Sequence, residues 1–221
     1  MSAETIRAIE TRGTAGVVAA LVAADGSAAH PHWRALVAPA APMRDVADAL
    51  HIICMLHGRH PGVHDHALSH GQPDAVIPWL EDAAAAFAVE RERIAALVSA
   101  VGPLPSTPGQ AESEAAVSGQ RHALDTLVRS DRVGCAIGAA AALVMDWGAI
   151  RRLLDRAGDR LGLDRQPTLL PDPISTAIAI DSIMSGPAAE RAALFGAQQF
   201  LAQQRGLWDL LEARASARNA S

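Results

Sequence analysis

Histidine is the most unevenly placed chemistry-bearing residue of this 221-residue chain. His51, His57, His60, His64, His66 and His70, six of its nine histidines, fall within residues 51–70. The spacing Asp48-x-x-His51 puts a carboxylate and an imidazole on one helix face, and His66-x-x-x-His70 pairs two imidazoles if that stretch is helical. Metal sites use such spacings because two ligands one turn apart converge on a single ion. A plainer reading stands beside this one. His60 and His64 flank a Pro-Gly turn, where surface histidines need no function. His57 precedes Gly58, and a histidine at a helix carboxyl end interacts favourably with the dipole.

Three further stretches place an acid within an apolar helical stripe. Glu90 sits in the gap of Leu80, Ala83, Phe87, Ile94, Leu97 and Val101. Asp146 lies among Cys135, Ala139, Leu143, Ile150 and Leu153, and Asp181 among Ile174, Ala177, Ile178 and Met184. A buried carboxylate must be hydrogen-bonded, paired or metal-bound, or it stays protonated. Asp48, His51, His57, Glu90, His122, Asp146 and Asp181 are therefore the candidate metal ligands, for iron or zinc. The pattern resembles the carboxylate-rich metal sites of helical bundles. Those sites carry Glu-x-x-His on two helices, and this chain has no Glu-x-x-His. The competing expectation is that Arg121, Arg152 or His122 pairs with the acids as structural glue. His122-x-x-Asp125, on a face with Glu114, Ser118 and Arg121, reads either as an oriented general base or as a solvated polar strip.

Composition excludes several chemistries. All 19 basic residues are arginine, and tyrosine is absent. Without lysine there is no Schiff base, no phosphate-cradling P-loop lysine and no Ser-Lys dyad. Any cation that meets a buried acid must be an arginine, a protonated histidine, the amino terminus or a metal. The net charge is −5 and neither half of the chain is basic. Arg152, Arg156 and Arg160 share a helix with the interleaved Asp155 and Asp159, so no nucleic-acid surface is expected. The longest uncharged apolar run, Val133 to Met145, is too short to span a bilayer. Acidic residues stand where a signal peptide would be basic, and Cys54 and Cys135 lie in apolar patterns without a CxxC. A cytoplasmic protein with two reduced thiols is the expectation.

The elements that must position these groups are helical. Half the residues are hydrophobic but only 3% are aromatic, and an alanine-rich core favours helices over strands. Residues 1–41 are expected to hold a short helix (Gly16 to Ala24) and a loop. Residues 42–221 should form one bundle domain. Its four long helices are predicted at Pro78 to Val101, Pro108 to about Ser130, Asp131 to Leu161, and Pro187 to about Arg214, with shorter helices at Pro42 and Pro173. Thr107-Pro108-Gly109-Gln110 reads as a capping box, and residues 58–73 as a loop with one helical turn. The fold class is all-α, an antiparallel bundle of four long helices with two or three accessory ones. Gly134-x-x-x-Gly138 lets a neighbouring backbone approach closely.

The functional reading from sequence is a non-catalytic scaffold or binding module with a homo-oligomeric or protein partner. The alternatives are a metal-binding bundle acting as a non-haem oxidoreductase or hydrolase, and a small-molecule or tetrapyrrole pocket between helices.

Overall fold

The computed structural model describes residues 13–220, and every regular element among them is helical. The helices are α1 (Gly13–Asp25), α2 (Pro31–Leu36), α3 (Met43–His57), α4 (Val63–Ser69), α5 (Ile77–Val101), α6 (Gln110–Val128), α7 (Cys135–Leu161), α8 (Pro173–Ser182) and α9 (Pro187–Ala220). Short 3-10 turns cover Ser27–Ala29 and Asp74–Val76. The fold is a helical bundle whose four long members are α5, α6, α7 and α9.

α7 is the centre of the bundle. Each residue from Cys135 to Val144 is buried, and the helix packs against α1, α4, α5, α6, α8 and α9. A helix apolar on all sides has no choice but a core position. Alanines at 139–142 let six neighbours crowd around it, while Trp147, Trp208 and Phe200 supply the bulk that alanine lacks.

The tightest seam joins α7 to α9. A Cβ on Gly138 would lie 1.9 Å from the Ala193 carbonyl oxygen, and one on Gly196 would lie 2.0 Å from that of Cys135. No L side chain fits there, so these glycines set the distance between the two longest helices. The close approach expected of Gly134-x-x-x-Gly138 is thus made by α9.

Some elements depart from the sequence expectation. The stretch expected as a loop contains α4, whose first turn is closed by Asp65 accepting from the Gly62 backbone N–H at 2.8 Å. The helix expected at Asp131 begins at Cys135. Thr107 is no helix cap: its hydroxyl donates to the Pro105 carbonyl and accepts from two arginines of α9. Those arginines also explain why α9 does not fade near Arg214. Its last turns are held to α3 by buried ion pairs.

Candidate functional site

Asp48 is a buried α3 residue saturated by arginine. Arg214 donates through Nε to both carboxylate oxygens at 3.0 Å and through Nη2 to Oδ1 at 2.7 Å. Arg218, one turn further along α9, donates to Oδ2 at 2.6 Å and to Asp45 at 2.8 Å. Two acids, two guanidinium forks and Thr107 close on one another. The planar fork of arginine suits this use, since it stays charged when buried and meets a carboxylate with two donors.

Glu90, 1% exposed, is also held by arginine, but through one oxygen only. Its Oε1 accepts from Arg151 Nη1 at 2.6 Å and from the Thr168 hydroxyl at 3.2 Å. Arg151 also donates through Nε to Asp155 at 2.9 Å and through Nη2 to the Gln166 carbonyl. Arg93 reaches the same Asp155 oxygen at 2.8 Å and the Asp164 carbonyl at 3.1 Å. This network joins α5 and α7 and pins the non-helical segment 163–172 across them. The pairing arginine is Arg151. Of the partners expected from sequence, Arg152 stacks over the Trp33 ring at 4.8 Å, His122 is exposed, and Arg121 lines a small cavity.

Asp146 meets no arginine among the described residues. It accepts from the Ser27 backbone N–H at 2.7 Å and from the Ser27 hydroxyl at 2.5 Å. Ser27 Oγ accepts from the Trp208 indole at 2.9 Å and, at 3.5 Å, from the Gln204 amide. Gln204 Oε1 in turn accepts from His57 Nε2 at 2.9 Å. Burial pushes the Asp146 carboxyl upward, while its bonds to Ser27 pull it down. The donor count adds a constraint. With both acceptor sites of Ser27 Oγ taken, its proton must go to Asp146, which therefore acts as an acceptor. His57 is thus the Nε2–H tautomer. Burial holds it neutral, with its pKa lowered to about 4.

The seven candidate ligands therefore lie in separate places, and only Asp146 and His57 share a network. His51 donates to the Gly102 carbonyl at 2.9 Å. His122 is exposed on α6, and Asp181 is exposed on α8 because Thr176, Ala177, Ala179 and Ile180 form that helix's buried face. The expected inward stripe through Ile178 and Asp181 is on the solvent side. His57 is more than a helix terminus, and Gln204, which no motif or spacing singles out, is one of the most buried polar residues. Ser27, in the segment expected as loop, gave no sequence signal. Its role depends on a turn that carries it 119 positions away in sequence to Asp146.

The histidine-rich window divides between core and surface. His64 is buried against Phe87, with ring centroids 4.7 Å apart, and donates to the Ala140 carbonyl at 3.2 Å. Burial lowers its pKa to about 4. His60 is exposed beside Asp65, and His70 turns back on the His66 carbonyl. His57 and His64 line a cavity of about 20 Å³, room for roughly one water.

One other cluster, remote from the histidine-rich window, gathers ligand-type atoms among the described residues: His30, Asp209 and Glu212, within 4.8 Å of one another. His30 Nδ1 accepts the His32 N–H at 3.1 Å, so its proton sits on Nε2 and goes to Asp209 at 3.0 Å. A cation on Nε2 would require that proton to leave and the cap at Nδ1 to break.

Larger spaces lie around the segment 163–172 and α8. A cleft of about 520 Å³ is walled by Val144, Met145, Trp147, Leu170, Pro171 and Pro173, with Gly148 at its edge. A groove of about 850 Å³ runs between α5 and α8 over Trp79, Leu169 and Ile178, and one of about 350 Å³ separates α1 from α8. All three flank the segment 163–172 or the start of α8.

A protein-family model matches residues 22–219. The chain belongs to DUF6975, a family of unknown function. The matched stretch of this DUF6975 member contains Ser27 and Arg218, and so every residue of the three networks and the whole 520 Å³ cleft. No curated protein and no solved structure matches the chain. No described helix is long and apolar enough to cross a membrane.

Proposed function

We propose that this DUF6975 member is a non-catalytic binding module whose binding face is formed by α5, α7, α8 and the segment 163–172. The observation that carries the reading is that charge and space are separated. The buried acids Asp48, Glu90 and Asp146 are committed to internal partners. The clefts with room for a guest are walled mainly by apolar side chains. Acid-base or nucleophilic chemistry needs a lone pair or proton facing a space where substrate can sit. His57 and His64 face a cavity of about one water's size, which supports binding over turnover.

Arg93, Arg151, Arg214 and Arg218 turn inward onto acids, which supports a guest other than nucleic acid. Cys54 and Cys135 are free thiols whose pKa values are raised by burial, and this supports a cytoplasmic setting. The test is a thermal-shift panel of neutral apolar small molecules on the purified chain. A concentration-dependent rise in Tm is the expected result. A panel that leaves Tm unmoved at every concentration overturns the reading.

A further inference from the structure

Gly148 occupies an unusual position for a glycine inside a long helix. A helix-interior glycine is unfavourable relative to alanine, so it usually has a packing reason. Gly138, Gly158, Gly196 and Gly206 have one, since a Cβ on each would press on a neighbouring atom at 3.2 Å or less. A Cβ on Gly148 would meet nothing within 4 Å among the described residues. Gly119 on α6 is similarly open, but Gly148 alone of the two borders the 520 Å³ cleft. The bare backbone there widens the cleft rather than admitting another helix.

Most of the cleft's polar perimeter is already committed. Arg151 serves Glu90, Asp155 and the Gln166 carbonyl. Thr168 donates to Glu90 and accepts from the Leu170 N–H. Asp172 caps α8 through the Ile174 and Ser175 N–H groups, and Thr176 donates to the Asp172 carbonyl while accepting from Trp79. An anionic guest would find no free cation among the described lining residues, and a cationic one would find only Oδ2 of the exposed Asp172, where an ion pair gains little. Trp147 lends its ring to the wall, but its indole N–H is fully enclosed and offers the cleft no polar contact. Pockets of about 300–1,000 Å³ with apolar walls and few polar groups are the usual size and chemistry of small-molecule sites.

We infer that the cleft beside Gly148 is a site for an uncharged, apolar small molecule. This rests on the binding-module reading above and names its ligand class and position. The probe is Nile red, a neutral apolar dye, titrated onto the full chain and onto Gly148→Ala and Gly148→Phe. Alanine keeps the cleft open, whereas phenylalanine fills it from a position with space for its Cβ, and both remove a helix glycine. The expected result is saturable binding to the wild type and Gly148→Ala, with a Kd roughly tenfold or more weaker in Gly148→Phe and no fall in Tm. Displacement of the dye by 1-dodecanol at lower concentration than by dodecanoate or dodecylammonium is expected from the spent perimeter.

Undiminished binding to Gly148→Phe overturns the site while leaving the binding-module reading standing. Equal or better displacement by either ion overturns the ligand class. Absence of saturable dye binding overturns the inference, and the separate thermal-shift panel then decides the module reading. Loss of self-association in Gly148→Phe, read by sedimentation, without dye binding to the wild type would assign the cleft to a second copy of the chain and overturn it too.

Discussion

The two sides of α7 use the same residue for opposite ends. Toward α9, Gly138 sits so close to its neighbour that a Cβ would fall 1.9 Å from the Ala193 carbonyl oxygen. Ten residues on, Gly148 faces open space at the edge of a cleft. The sealed side also holds the Asp146–Ser27–Gln204–His57 chain, and further ionic closure ties α3 to α9. The open side carries apolar walls, and its charges are turned to other duties. The contrast separates the polar residues that hold this fold together from the apolar space in which the proposed guest would sit.

Acidification is expected to break the sealed side with the largest effect. His57 and His64 have folded pKa values near 4, below the ordinary 6.5, so the folded chain binds fewer protons than the unfolded one between these values. Stability should be complete above about pH 6.5 and fall as pH drops toward 4, by on the order of 3 kcal/mol for each imidazole. Asp146, with a raised carboxyl, works in the opposite sense: protonating it favours the folded state. Urea denaturation from pH 7 to 4.5 reads the net slope. A profile that stays flat in Asp146→Asn, where the opposing carboxyl is gone, would show that the two imidazoles are not buried neutral.

Asp48→Ala should cost about 3–5 kcal/mol, because it leaves Arg214 and Arg218 buried with Asp45 as their remaining acid. A loss below about 1 kcal/mol in guanidinium denaturation is the size found for exposed pairs and would mean that water reaches the cluster. Gly138→Ala should destabilise by about 1–3 kcal/mol, since the new methyl must push α9 away. The smallest expected effect has the reverse sign. Gly148→Ala should stabilise by up to about 1 kcal/mol, as nothing opposes the methyl and alanine is the better helix former. Running the two alanine variants side by side in one thermal melt tests the contrast directly. If both lower Tm, the open side is sealed after all.

Helix positions were largely legible in the sequence. Pro78 and Gly102 bracket α5, Pro173 opens α8, and Gly186-Pro187 precedes α9, each for a local backbone reason. Glu90 and Asp146 were legible as buried acids because each interrupts an apolar stripe on a long, regular helix. Asp181 was not, since α8 is short and apolar on both faces, so its stripe does not say which face turns inward. The partners were harder still. The missing lysine pointed to arginine, which is right for Asp48 and Glu90, yet the arginine at Glu90 is Arg151 rather than its neighbour Arg152. That one-residue difference rotates a side chain about 100° around the helix, and only packing decides it.

By itself the sequence determined the all-helical class, the breaks between helices, the burial of Glu90 and Asp146 and the need for a non-lysine partner. These follow from periodicity, proline and glycine chemistry and the donor types available, all local or compositional. Tertiary structure decided that Asp146 takes Ser27 instead of a cation, that Arg214 and Arg218 extend α9, and that Gly138 is closed while Gly148 is open. Each of these depends on which residues, distant in the chain, arrive at the same place. Local backbone preference carries no information about that arrival.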